Sequence, residues 1–393
     1  MTHGAGTHSA STHTAGTQRA GTQGEAGGRT AERWREREDE DSLFRQLRLT
    51  VRQGLEVDGD TPAGSWEALT QVGAWEFALP IDKDGLDLGQ AVLAMVCEEA
   101  GNAMQPVPLP DTLLALDLLS GLGPAAPEAV DELLDRVRAG EHPIAVPGRL
   151  PDPRGVVPPG LTWKPDPATG DILLTGTGGP FAAGVGAGAL LVPASGPDGP
   201  CVALVALPTA GLQVRPLRDH GGGAVAGAVF DEARVPAEAV VLRGIAAEQA
   251  LARAGLRAAV HQASLLAGIT AAALTAVVSR IRGRQQFGQA LVKHQGPRLR
   301  VAGLLARLDA VRWAVGDAAR DLDEGRLTPG EAAGLIALTA ETTLDVTRDA
   351  VHLHGASGLV RDGLVAGCYR RAAWEALRCG RPAQLWDTAA HTP

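Results

Sequence analysis

Arg284-Gln285-Gln286-Phe287-Gly288, followed by His294-Gln295, gathers residue types that suit an anionic ligand. A guanidinium can grip a pyrophosphate through two parallel charged hydrogen bonds, and an aromatic ring can cover an apolar one. Gly288 permits a sharp backbone turn between them. An ordinary solvated loop between two helices fits the same residues, so the neighbouring elements matter. Leu266, Ile269, Ala273, Val277 and Ile281 recur at three- and four-residue steps and predict an amphipathic helix ending at this loop. Leu304, Leu308, Val311 and Val315 predict a second helix beyond it. Thr328-Pro329-Gly330-Glu331 is a capping box with proline at the first helical position. That third helix ends in His352-Leu353-His354-Gly355-Ala356-Ser357-Gly358, where Gly355 and Gly358 can let a phosphate or ribose approach the backbone or simply stop the helix.

The chain that must position these segments has 393 residues, 45% of them apolar and 21% charged, which is globular composition sufficient for two or three domains. Its formal charge of −9 argues against nucleic acid as a partner, because no basic stripe exists to displace counterions. No unbroken apolar run reaches the ~18 residues of a membrane span, and Met1 to Gly28 lacks the apolar core of a signal peptide. Cys97, Cys201, Cys368 and Cys379 lie far apart with no C-x-x-C spacing, as reduced thiols of a cytoplasmic protein would. Residues 1–33 hold mainly Gly, Ala, Thr, Ser and His and predict a disordered tail. His3, His8 and His13 within it fit a weak metal ligand set less well than a flexible tail, and no metal site is expected. Trp34 to Glu40 is a mixed-charge run of the kind that stays solvated.

Hydrophobic spacing divides the rest into an α+β chain. Residues 41–145 are helical in pattern, as Leu43, Leu47 and Val51, then Trp66, Leu69 and Val72, then Val92, Met95 and Val96, then Val130, Leu133 and Val137 indicate. In residues 146–245 Pro and Gly rise and apolar runs shorten to strand length: Asp171–Thr175, Ala189–Val192, Val202–Val205, Leu212–Val214 and Ala224–Phe230. Residues 246–393 return to helix, and residues 1–40 form the tail.

Arg284, Gln286, Phe287, Gly288 and Gln295 together resemble the Arg-x-Gln-Phe-Gly signature of the acyl-CoA dehydrogenase family, with His294 where an aromatic is usual. The resemblance extends over about residues 41–390. Trp66, Gly73 and Leu79-Pro80 match the amino-terminal domain, although Asp84-Gly85 replaces its Gly-Gly. Phe230–Pro236 is similar to the link from the β domain to the last helices. His352, Gly355 and Gly358 stand in register with Gln-x-x-Gly-Gly-x-Gly, His352 replacing the Gln and Ala356 the second Gly, and Tyr369-Arg370-Arg371 follows where the family has an aromatic, Arg and Asp. The resemblance implies an amino-terminal helical domain, a small β-barrel or sandwich and a carboxy-terminal four-helix bundle. It also implies FAD as cofactor and α,β-dehydrogenation of an acyl-CoA or other acyl thioester. In the family the Arg284 loop clamps the FAD pyrophosphate of a neighbouring subunit, and the Gly355 segment holds its adenosine half.

The expected chemistry is missing. Such an enzyme removes the α-proton of the thioester with a carboxylate, yet register places Cys379-Gly380 on the usual Glu-Gly pair. The alternative base position falls near Ala258. The two turns that bond the flavin ring are replaced by Pro147–Pro153 and Gly179-Pro180-Phe181-Ala182, whose prolines lack N–H donors. A chain that keeps the clamp and loses the ring pocket implies a half-site or non-catalytic partner of a homologous subunit in a hetero-oligomer, as in heteromeric dehydrogenases of actinobacterial-type sterol side-chain oxidation. Other readings are a homo-oligomeric flavoenzyme using Cys379, Glu375, Asp387 or His261 as base, a flavin-free binder of acyl thioesters or polyketide-like ligands, and a purely structural paralogue.

Overall fold

The computed structural model describes residues 1, 42–56, 61–123, 126–182, 186–217 and 225–392. The Thr-His repeats and the charge run before residue 41 lie outside them. The chain divides into the units Met1–Leu49 and Thr50–Pro393. Residues 42–49 of the first are helical, and the second holds the helical layers and the sheet.

Helices α1 (Pro62–Gln71), α2 (Ala74–Ala78), α3 (Gln90–Asn102), α4 (Leu109–Ser120) and α5 (Glu128–Arg138) precede the strands. Thr61 caps α1 by accepting the Gly64 N–H at 3.2 Å, with Pro62 at the first position. Trp66 and Trp75 stack with ring centroids 4.3 Å apart, and the Trp66 indole donates to the Gly140 carbonyl at 2.8 Å, tying α1 to the end of α5. Helix α4, which periodicity alone does not announce, is apolar almost all round and is enclosed accordingly: Leu113, Leu114, Leu116, Leu118 and Leu119 are buried. Asp111 in its first turn is buried with them.

The middle of the chain is β1 (Ile144–Ala145), β2 (Leu161–Pro165), β3 (Ile172–Ala182), β4 (Ala189–Gly196), β5 (Gly199–Ala206), β6 (Leu212–Leu217), β7 (Val225–Val235) and β8 (Val240–Arg243). These strands make one largely antiparallel sheet in the order β6-β7-β3-β2-β4-β5-β8, with β1 beside β4. Trp163, Leu174, Phe181, Val192, Val205 and Phe230 share one core although their strands are spread along that order, so the sheet curls over its own interior. Sequence patterning misses β2, whose Leu161 and Trp163 lie among prolines. Phe230–Val235, read as a link, continues β7.

Helix α6 (Gly244–Gly283) is followed by a hairpin of β9 (Gln285–Gln286) and β10 (Gln289–Ala290), then α7 (Gln295–Asp323), α8 (Pro329–His354), α9 (Leu364–Glu375) and α10 (Pro382–His391). The capping box of Thr328 and Glu331 forms as its spacing predicts. Helix α6 is the axis of this layer. By length and composition it is apolar enough to cross a membrane, contrary to the expectation from unbroken runs, but 72% of its most apolar window is buried inside the protein. Its backbone meets α3 directly: a Cβ on Gly268 would lie 2.0 Å from the Glu98 carbonyl oxygen, so any larger residue would push the helices apart. Helices α7 and α8 run antiparallel, paired through Arg300–Asp349 at 2.6 Å and Arg307–Asp345 at 3.7 Å. The hairpin makes α6 and α7 antiparallel as well. Helices α6 and α8 are therefore parallel, in contact through the Thr270 and Thr343 hydroxyls at 3.0 Å.

Candidate functional site

That register carries the two segments expected to form a clamp to one end of the bundle. From the Thr270–Thr343 contact, α6 continues to Gly283 and α8 to His354, so the Arg284 loop and the Gly355 segment emerge in the same direction. In the loop, Gln285 pairs with Ala290 and Gln286 with Gln289. Phe287 and Gly288 hold the two turn positions with φ of 51° and 78°, the double left-handed geometry of a tight two-residue hairpin. His294 Nε2 lies 3.2 Å from the Gln286 carbonyl oxygen, and the His294 and Phe287 rings meet edge-on with centroids 6.0 Å apart. Arg284, Gln286, Phe287 and Gln295 are exposed, Phe287 at 90%. In the second segment His352 and Gly355 are exposed, Gly355 at φ 63°, whereas Gly358 points inward: a Cβ there would lie 2.5 Å from the Val351 carbonyl oxygen.

The positions expected to hold a base converge elsewhere. Cys379 Sγ lies 3.9 Å from the carbonyl oxygen of Ala258, so the residue at the usual Glu position and the residue at the alternative position face each other. Burial pushes the Cys379 thiol up to about 12, which keeps it protonated and unable to act as a base at neutral pH. Ala258 and Arg284 are 26 residues apart on one continuous helix, about 39 Å at the α-helical rise. A flavin dinucleotide whose pyrophosphate sits at Arg284 cannot reach the Cys379 position of the same chain.

Glu375 and His261 are not free to replace the base. The Glu375 carboxylate takes the Gln262 amide at 2.8 Å and Arg371 Nε at 3.2 Å, all three residues being buried. His261 is 2% exposed, and burial followed by the charge of Arg257 lowers its imidazole to about 3, leaving it neutral with Nε2 3.0 Å from the Gln90 side-chain oxygen. Asp387 is an exposed acid beside His391 at 3.4 Å.

A pair that sequence reasoning missed dominates the groove between sheet and helices. Arg378, directly before Cys379, is buried and donates to Asp111 and to the carbonyl of Gly148, and to the carbonyl of Pro180 at 3.4 Å. Its own carbonyl accepts the Leu150 N–H at 2.9 Å, and Asp111 also takes the Val146 N–H at 3.0 Å. Burial pushes the Asp111 carboxyl up from the ordinary range while Arg378 pulls it back, and Arg378 keeps its charge. The available signal was Asp111 at the start of the leucine-rich stretch of α4, a carboxylate that demands a partner once buried.

This network decides whether a flavin ring fits. The loops at 147–150 and 178–180 have turned toward each other: a Cβ on Gly178 would meet Pro147 Cβ at 2.6 Å, and one on Gly148 would lie 3.1 Å from the Gly179 nitrogen. Two carbonyls of these loops are held by Arg378, and two of their residues are prolines. These loops offer a flavin ring edge few free donors, whereas the exposed Arg284, Gln286 and Gln295 fit a pyrophosphate.

Residues 245–381 match the family model described as the acyl-CoA dehydrogenase carboxy-terminal domain. The chain is 35% identical over 176 residues to the acyl-[acyl-carrier-protein] dehydrogenase MbtN of Mycobacterium bovis, a stretch covering 43% of this chain and 44% of that protein. It thus spans less than half the length of that relative. Over 309 residues it is 26% identical to mitochondrial isovaleryl-CoA dehydrogenase of Arabidopsis thaliana, 76% of this chain and 75% of the relative. Among solved structures, the Tcur3481-Tcur3483 steroid ACAD G363A variant matches with a TM-score of 0.77 at 24% identity, over 89% of this chain and 97% of that one. The ChsE4-ChsE5 complex of Mycobacterium tuberculosis matches with a TM-score of 0.77 at 21% identity, over 88% and 97%. The architecture is thus the acyl-CoA dehydrogenase fold, helical layer, β sheet and helical bundle in that order. Residues 245–381 belong to the acyl-CoA dehydrogenase carboxy-terminal domain family, and the chain as a whole is similar to acyl-CoA dehydrogenases in fold.

Proposed function

We propose that this chain is the clamp-supplying, non-catalytic subunit of a heteromeric acyl-thioester dehydrogenase. The observation that carries the reading is the separation of clamp and base position by about 39 Å on one helix, together with an exposed clamp and a buried, protonated Cys379. A clamp so placed serves a neighbour. Arg284 would grip the FAD pyrophosphate bound in a homologous partner, Gln286 and Gln295 would bond its oxygens, Phe287 would cover it, and His352 and Gly355 would lie along the adenosine half. FAD so held supplies a hydride acceptor for α,β-dehydrogenation, with the substrate an acyl group on CoA or on a carrier protein. On this chain's own side the Arg378–Asp111 pair, the proline-bearing loops and the protonated Cys379 support the reading that ring pocket and base belong to the partner.

Copurification from the native host with flavin quantified per chain tests the reading. A stable complex with a homologous dehydrogenase subunit holding one FAD per pair is expected. A homo-oligomer holding one FAD per chain would overturn it.

A further inference from the structure

The loops at 147–149 and 178–180 line a cavity of about 420 Å³ between the sheet and α9. Its walls are Pro147, Pro159, Pro180, Leu161, Trp374 and Leu377, so its interior is apolar, and its size falls within the range of small-ligand sites. Two of its lining residues carry charge. Arg378 is committed to Asp111 and to two carbonyls. Arg149, half-buried at the rim, has no hydrogen-bond or ion-pair partner among the described residues, and the nearest acid on its loop, Asp152, is bound by Arg154 at 2.8 Å. The cavity therefore presents an apolar body with one uncommitted positive charge.

We propose that this cavity is a ligand site for a small amphipathic monoanion, an apolar chain or ring ending in a carboxylate or phosphate that Arg149 pairs with while the apolar part lies against Trp374 and Leu377. An uncommitted guanidinium beside apolar walls favours an anion-terminated ligand over its neutral isostere, since each half of such a ligand meets its own kind of surface. The site stands apart from the clamp, and it holds whether or not a partner subunit uses Arg284.

The test is isothermal titration of the purified chain with octanoate, octyl phosphate and octanol, repeated on Arg149→Gln and on Ala373→Trp, which fills the cavity from the exposed face of α9. Saturable one-to-one binding of at least one of the two anions is expected, weakened about ten- to a hundredfold by Arg149→Gln and lost in Ala373→Trp. Octanol should bind more weakly and ignore Arg149→Gln; whichever anion binds tighter names the headgroup. Arg149 makes no hydrogen bond or ion pair among the described residues, so its variant should fold, which circular dichroism checks. Absence of saturable binding, equal binding of octanol and the anions, or indifference to Arg149→Gln would each overturn the proposal.

Discussion

Cys379 Sγ faces the carbonyl oxygen of Ala258 at 3.9 Å, so the two positions that the family resemblance assigns to a carboxylate base meet in this fold, and neither side chain is an acid. Cys379→Glu should therefore put a carboxylate into that place without restoring dehydrogenation, because the ring loops are closed independently of the base. Flavin bleaching by acyl-CoA, followed anaerobically with the variant alone, should remain at background. The wild-type thiol, protonated and 3% exposed, should also resist iodoacetamide at pH 8 in the native state and react only on unfolding.

The buried ion pair has a sign that can be measured. Arg378→Ala leaves Asp111 buried without its cation and should destabilise the chain by about 3–5 kcal/mol. Replacing both partners, Asp111→Leu with Arg378→Met, should recover most of that loss, because it removes the orphaned charge along with the pair. Denaturant midpoints of the three proteins distinguish a structural pair from two independent residues.

His261 predicts an acid limb. Its folded value of about 3 lies below the ordinary 6.5, so the unfolded chain binds a proton that the folded chain refuses. Its contribution to stability is complete above pH 6.5 and is lost as pH falls toward 3, at up to about 1.4 kcal/mol per pH unit. His261→Gln should flatten that part of the stability profile. At the alkaline end the buried thiols act the other way: Cys201, Cys368 and Cys379, all raised by burial from 9.0 to about 12, favour the folded state less as pH rises above 9.

Arg284→Ala should leave the stability of the chain unchanged, since the side chain is exposed and holds no partner among the described residues. In the complex with its partner it should speed loss of FAD on dialysis and weaken flavin affinity about ten- to a hundredfold, the worth of a charged contact to pyrophosphate. Acyl-chain preference should not move.

The helices, the strands with clean apolar runs and the sharp turn at Gly288 were legible because each rests on local signals: three- and four-residue spacing, a capping box, a glycine closing the Arg-x-Gln-Phe run. Helix α4 and strand β2 were not, because enclosure on all sides erases the periodicity of one and prolines mask the other. The Arg378–Asp111 pair joins positions 267 apart, and no local pattern announces a contact between elements that meet only in the fold. The 26-residue separation of Ala258 and Arg284 was in the sequence throughout, but it became a distance only once Gly244–Gly283 proved to be one unbroken helix.

The visible spectrum of the chain purified alone, after incubation with excess FAD and desalting, tests the central claim most directly. The half-site account predicts a colourless protein with no flavin absorbance and no oxidation of any acyl-CoA. Retention of one FAD per chain, together with turnover on an acyl thioester, would contradict it.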